Sequence, residues 1–558
     1  MKVLCIFAML CGLSDLASAL DREAFTFTRY ELDVRLEPEQ HRLGVRGKIT
    51  LRNDSSTAEK DLALQISSSL DWRSIKVNGK TVEFVTEEYN SDLDHTGSFS
   101  EAIVTVPEVP SKGVIELEVG YEGIIPLVAS RLTRIGVPED KAKLSDWDQI
   151  SKSFTAVRGI GYVTWYPIAT EDASLSEGNS VAETIGRWQA KEASAEMQVK
   201  FESTSTAAIL FSSPGAEQHA GSRAGKGVRF SIVGLGISVP TFVMADYQKL
   251  TPKDIVTVYY LPGQQTAAEA YGEFAAQLDP LAPGGGASES LQILGLPDAE
   301  AQPFVSAGML LTSLQLPMTN GTELSIVYAQ ARQWLRSPRP WIEDGLAHFA
   351  QAQFIEKQKG RPAALDYLKS HATVLIEAEK QTSEKPGVQD STRSLITAPD
   401  DLYLQSKAMY VWWMLRDMLE RLPADALLNY HAADDQEMTY LERLIEKTSQ
   451  RDLQWFFDDW VYHDRGLPDF RIDSVYSSPL PSGGFLVTVA VENLGNAGAE
   501  VPVTLHLEGS EVRKRLEVRA KSKASIRVQV PSPPQQVTLN DGSVPESSSN
   551  EHTYKTKG

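Results

Sequence analysis

The sequence predicts a multidomain α+β chain in which a mainly helical middle stands between two β regions. Three observations predict it. Apolar residues alternate with polar ones up to about Tyr247, recur at helical spacing from about 248 to 468, and alternate again after Pro468. The chain of 558 residues is long enough for three to four domains.

In the first region, Leu32, Val34 and Leu36 share one face of an extended run, with Glu31, Asp33 and Arg35 on the other. The same period returns at Ile49/Leu51 and at Ile115/Leu117/Val119/Tyr121, with Asn-Asp, Asn-Gly and Ser-Lys-Gly turns between the runs. No long helical pattern interrupts it, so 20–247 is expected to be an all-β domain. In the second region, 266–278 is Ala-rich, 280–286 (PLAPGGG) breaks the chain, and helical patterns follow at 324–335, 341–358, 363–379, 406–421 and 452–462. In the third, Val501/Val503/Leu505/Leu507, Leu516/Val518 and Ile526/Val528/Val530 predict short strands. A C-terminal β-sandwich of about 80 residues, 469–546, follows from that spacing. The polar segment 547–558 lacks apolar periodicity and reads as a disordered tail.

Residues 1–19 combine Lys2, an apolar run from Val3 to Leu13 and Ala17-Ser18-Ala19, the pattern of a secretory signal cleaved after Ala19. A lipoprotein anchor at Cys11 is disfavoured by Leu10, where a small residue is expected. The run is too short to span a bilayer, and no other stretch approaches the roughly 20 apolar residues a span needs. The mature protein is therefore expected to be exported, periplasmic or extracellular. Cys5 and Cys11 both lie within the signal, so a large core must replace disulfides. The net charge of −20 argues against nucleic acid as a partner.

One segment is specific. Trp341-Ile-Glu-Asp-Gly-Leu-Ala-His-Phe349 resembles the W-L-N-E-G-x-A-x-Y/F segment that carries the third zinc ligand of the gluzincin peptidases related to aminopeptidase N and leukotriene hydrolase. Residues 452–463 with Gly466-Leu-Pro468 resemble the helix closing that family's catalytic domain. More weakly, 30–36 and 243–247 resemble the limits of its N-terminal β domain. The resemblance implies a thermolysin-like middle domain, 248–468, and a peptide lying between it and the N-terminal domain. In active relatives a Glu in a G-x-M-E-N strand meets the amino group, and zinc-bound water attacks the first peptide bond.

That chemistry needs H-E-x-x-H, in which two His at i and i+4 hold zinc and the Glu is the general base. The matching segment here is 328–334, placed by its Gln-Trp ending. Tyr328 stands for the first ligand, Ala329 for the base, Arg332 for the second ligand and Asp344 for the third. An arginine offers no lone pair and stays protonated, and Ala329 can accept no proton. The family separates the second His and the Glu by roughly eighteen residues, whereas only Gln333 to Glu343 intervene here. Ala307-Gly-Met-Leu-Leu311 resembles the amine-binding strand with Leu310 in place of Glu. Residues 404–408 resemble Y-x-K-G with Gln405 in place of the oxyanion-stabilising Tyr.

The resemblance thus implies a chain without zinc or any other cofactor, with only vestigial catalytic positions, that holds a peptide or protein in the interdomain groove or serves as a scaffold. The alternative is an active metallo-aminopeptidase with an unrecognised metal site. His348, one helical turn after Asp344, could add a ligand, but zinc wants at least three, and a structural role is the simpler reading. Trp412-Trp413 reads as core and Asp458-Asp459 as a solvated face. An ion pair between Arg332 and Asp344 across the former zinc position is the most specific expectation, because a carboxylate left there without a metal calls for a fixed cation.

Overall fold

The computed structural model describes residues 20–178, 180–212, 227–235, 239–278, 290–335, 337–384, 394–396, 401–548 and 552–555. The signal expected at 1–19 lies outside the described residues.

The N-terminal region is built on a seven-stranded sheet ordered Val228–Val233, Glu196–Ser203, Phe25–Glu37, Arg42–Asn53, Val114–Ile124, Leu70–Val77, Lys80–Thr81. All neighbours are antiparallel except Phe25–Glu37 with Glu196–Ser203, which pair in parallel with Leu32 opposite Val199. The alternation read in the sequence is the alternation of the faces: Leu32, Val34 and Leu36 are buried while Glu31, Asp33 and Arg35 face water. Two three-stranded sheets pack with it around one core that runs from Ala24 to Met244.

The region is β-rich but not all-β. Helices α1 (Ser130–Arg134), α2 (Glu139–Ser145) and α3 (Ser180–Lys191) interrupt it. Only Thr184 and Trp188 of α3 are buried. Val181, Ile185 and Trp188 form its core-facing side at helical spacing, a single short run that the strand-period reading passed over.

The middle opens with a five-stranded sheet ordered Gln248–Leu250, Val256–Tyr260, Leu291–Gly295, Met309–Thr312, Phe304–Ser306. Helix α4 (Gln265–Ala275) follows its second strand, and α5 (Asn320–Trp334), α6 (Pro340–Lys359), α7 (Arg361–Glu384) and α8 (Asp401–Met418) come after the sheet. Short helices α9 (Ala424–Leu428), α10 (Tyr440–Ser449) and α11 (Gln454–Phe457) complete it, and α11 runs into a π-helical turn, Asp458–Tyr462. Both segments on which the helical reading most depended, 406–421 and 452–462, are helical over most of their length. Helices α6 and α8 approach closely at Gly345, where a Cβ would stand 2.6 Å from the Ala408 Cβ.

Beyond Pro468 a three-stranded sheet (Phe470–Pro479, Phe485–Asn493, Lys523–Val530) and a four-stranded sheet face each other. Their inner residues join one continuous core with Trp341, Trp412, Trp413 and Trp460 of the helices. Trp412 stacks on Trp341 with centroids 6.0 Å apart, and Trp460 donates to the Gly498 carbonyl at 2.7 Å. Two sequence readings are corrected here. Asp459 is no solvated face: it accepts the Gly498 N–H at 2.8 Å and ties the π-turn to the C-terminal sheets. The tail does not simply fray, because Thr553–Lys555 pairs with Gln536–Leu539 as an edge strand. A three-residue strand on an existing edge needs no apolar period of its own.

Candidate functional site

The positions matched to metal ligands converge on the facing sides of α5 and α6. Helix α5 starts at an N-cap, Thr319, whose hydroxyl accepts the Thr322 N–H at 3.2 Å. Helix α6 carries Pro340 in its first turn, where the missing N–H costs nothing. Only residues 335–339 join the two helices, and the short connection holds their facing sides together.

Arg332, on the last turn of α5, is turned towards α6. Its Nε and Nη2 donate to Glu343 Oε1 at 3.1 and 3.0 Å. Glu343 is almost fully buried, and its Oε2 accepts the Ser337 N–H at 3.0 Å. Asp344 lies 3.6 Å from Arg332 Nε through its Oδ1, an ion-pair distance without a hydrogen bond. That same Oδ1 accepts the Tyr328 hydroxyl at 2.8 Å. The guanidinium therefore faces two adjacent carboxylates, and of the two it hydrogen-bonds Glu343, which the sequence reading passed over. The signal was present: two acids in succession, Glu343-Asp344, opposite one arginine.

The chemistry of this donor set is not that of a zinc site. Burial and the Asp344 carboxylate push the Tyr328 phenol far above its ordinary range, so it stays a neutral donor. The facing carboxylates hold Arg332 protonated despite its burial. At the position that the sequence resemblance matches to a zinc ligand stands a permanent cation with no lone pair, so the residues do not fit the metal. Among the described residues no three His, Cys, Asp or Glu side chains cluster in a way that could hold a metal ion.

The other two positions matched by the resemblance lie in different surroundings. Leu310, in the strand Met309–Thr312, is wholly buried and shares an apolar cluster with Ile326 and Ala329 of α5 and with Val256, Val258 and Ala268. Gln405 is half-buried on α8. Its neighbours on α8 are committed elsewhere. Ser406 Oγ lies 3.1 Å from His371 Nδ1 of α7. Lys407, buried, pairs with Asp464, which also accepts the Tyr403 hydroxyl at 2.5 Å.

His348 lies beside this arrangement, its ring 4.9 Å from that of Tyr328 and 6.3 Å from that of His371. Its Nδ1 is 3.0 Å from Gln351 Oε1, which also accepts the Tyr367 hydroxyl at 3.0 Å. Burial, partly opposed by Asp344, lowers the imidazole to about 4, so it is neutral at neutral pH.

No family model matches the sequence, and no curated protein matches it either. The fold is similar to solved structures, among them an aminopeptidase A of Legionella pneumophila determined in complex with aspartic acid. The two superpose with a TM-score of 0.54 at 14% identity, over 96% of this chain and 60% of the other. The chain thus spans about 60% of that neighbour's length. At that identity the likeness concerns the fold, and the fold of this chain is aminopeptidase-like.

Proposed function

We propose that this chain is an exported, non-catalytic protein of the gluzincin type, with a thermolysin-like middle region, that keeps an aminopeptidase scaffold for holding a peptide or protein. A fold does not set a function, so the reading rests on the site. One observation carries it: the place matched to the second zinc ligand holds a guanidinium whose nitrogens bond Glu343. Support comes from the apolar packing of Ala329 and Leu310, the positions matched to the general base and the amine-binding Glu. Water activation needs a base or a metal within reach, and these positions supply neither.

The test is a zinc measurement on purified protein together with a screen of aminoacyl-amide substrates. The expected result is no stoichiometric zinc and no release of an amino-terminal residue. Turnover abolished by a chelator would overturn the reading. Installing Tyr328→His, Ala329→Glu and Arg332→His together is expected to give no activity, because Leu310, Gln405 and the short 335–339 connection remain.

A further inference from the structure

Where the helices meet the C-terminal sheets, a cleft of about 400 Å³ is lined entirely by charged side chains. They come from α6, α7, α8 with its end, and the strand Ser510–Val518, and four of them are arginines. Arg361, at the start of α7, donates to Asp417 Oδ2 at 2.7 Å and to Asp541 Oδ2 at 3.3 Å. Arg515 pairs with the same Asp417 oxygen. Arg513, two residues away on the same face of its strand, pairs with the same Asp541 oxygen. Arg416 pairs with Glu356 and lies 3.9 Å from the centre of the Trp413 ring. Three carboxylates thus hold four guanidinia, and Asp417, 8% exposed, serves three of them. Burial holds Arg515 below its ordinary value, and Arg513 and Arg361 add to this against the pull of Asp417, the mark of crowded positive charge. Arg513 is 40% exposed, and among the described residues only its Nη2 meets an acceptor.

We propose that Arg361, Arg513 and Arg515 form a binding site for a doubly charged tetrahedral oxyanion, a phosphate or sulfate group, in the cleft between α7, α8 and the strand Ser510–Val518. Each guanidinium carries five donors in a planar fork, more than the carboxylates around it can fill. Asp417 and Asp541 hold the forks in place, so little side-chain freedom is lost when an anion arrives. The forks belong to two elements and approach from different sides. A tetrahedral anion presents acceptors in several directions, whereas a carboxylate presents two in one plane and suits a single fork. The acids on the cleft wall do not close it: Glu356 is spent on Arg416 and Arg361, and Glu420 is exposed. A bound anion would tie the C-terminal sheets to the helices. None of the residues matched to a zinc site takes part, so the inference stands apart from the non-catalytic reading.

The group has two sources, a free inorganic anion or a phosphomonoester carried on a larger molecule. Inorganic phosphate, sulfate and a blocked phosphoserine tripeptide are titrated by calorimetry into the full chain, at ionic strength matched with sodium chloride. Melting temperatures are followed in the same solutions. Phosphate and sulfate are expected to bind saturably below about 10 mM and to raise the melting temperature, and chloride to do neither. Arg513→Gln is expected to weaken binding about tenfold. Its own melting temperature without anion should stay close to that of the parent, because the pair it breaks is partly exposed. Arg471→Gln, which removes an exposed arginine paired with Glu492 elsewhere in the C-terminal region, should leave binding unchanged. Tighter binding of the phosphoserine peptide than of inorganic phosphate supports the site and assigns it to phosphomonoesters, whereas equal or weaker binding assigns it to the free ion. Phosphate and sulfate also stabilise folded proteins by exclusion from their surfaces. Stabilisation that never saturates, or that is the same in Arg513→Gln as in the parent, would overturn the proposal and leave the cleft as a hydrated ion network. Equal weakening by Arg471→Gln would overturn it as well, by giving the effect to overall charge.

Discussion

Two buried arginines, one in each of the first two regions, meet their carboxylates in opposite ways. Arg158 in the N-terminal region is 1% exposed and donates through Nε and Nη2 to Asp148 Oδ2 at 3.0 and 2.6 Å. Its Nη2 also reaches the Ser145 carbonyl at 2.7 Å, and Asp148 Oδ1 accepts the Arg158 N–H at 2.7 Å. The rings of Trp147 and Tyr162 close on the guanidinium at 3.7 and 3.4 Å. One cation meets one anion, with both flat faces covered. Arg332 faces two carboxylates, bonds Glu343, and leaves Asp344 partly exposed at 3.6 Å. The first arrangement has the form of a staple. The second spreads one cation over two carboxylates, one of them reached by water.

The comparison breaks first at its strongest point. Arg158→Met is expected to destabilise the protein by about 3–5 kcal/mol, because Asp148 has no exposure and would remain charged and unpaired. Denaturant unfolding measures this, and a loss under about 1 kcal/mol would show that the staple is ornamental. Arg332→Met is expected to cost less, about 3 kcal/mol, since Glu343 keeps the Ser337 N–H and Asp344 keeps Tyr328 and water. Equal losses for the two variants would erase the distinction.

The same contrast explains what the sequence could and could not show. Helices α6 and α8 were legible because both are long, rich in apolar residues and buried on most sides, and the strands around Leu32 and Val503 because one face is buried. The five-stranded sheet at the start of the middle region was read only at Ala307–Leu311, since its strands are three to five residues long. That is too short for a period to stand out from a buried helical turn. At the site, Tyr328, Arg332 and Asp344 could be placed by motif, because helices at fixed spacing bring fixed residues together. The preference of Arg332 for Glu343 over Asp344 could not be read, because it depends on the rotation of α6 about its own axis. Nor could the surroundings of His348, which depend on the orientation of one amide on the same helix, Gln351.

A pH titration sharpens the comparison on the side of the second site. His348 has a folded-state pKa near 4, below the ordinary 6.5. Between those values the unfolded chain holds a proton that the native state does not, so stability rises with pH across that window. Lowering the pH from about 6.5 to 4 is therefore expected to remove about 2 kcal/mol through this group, allowing for the partial exposure of the ring. His348→Phe should flatten the slope by that amount in unfolding curves taken at several pH values. An unchanged slope would mean that the imidazole protonates freely and that its Nε2 is not sheltered.

The smallest expected effect on stability is the most informative. Asp344→Asn keeps the shape of the side chain and its acceptor for the Tyr328 hydroxyl, and removes one charge from a group 23% exposed and 3.6 Å from Arg332. Glu343 remains the hydrogen-bonded partner of the guanidinium. An ion pair of that exposure and distance is worth under about 1 kcal/mol. The variant should therefore unfold within about 1 kcal/mol of the parent, as denaturant unfolding would measure. A loss of several kcal/mol would instead make Asp344 a second staple like Asp148. The two arginines would then be doing the same job.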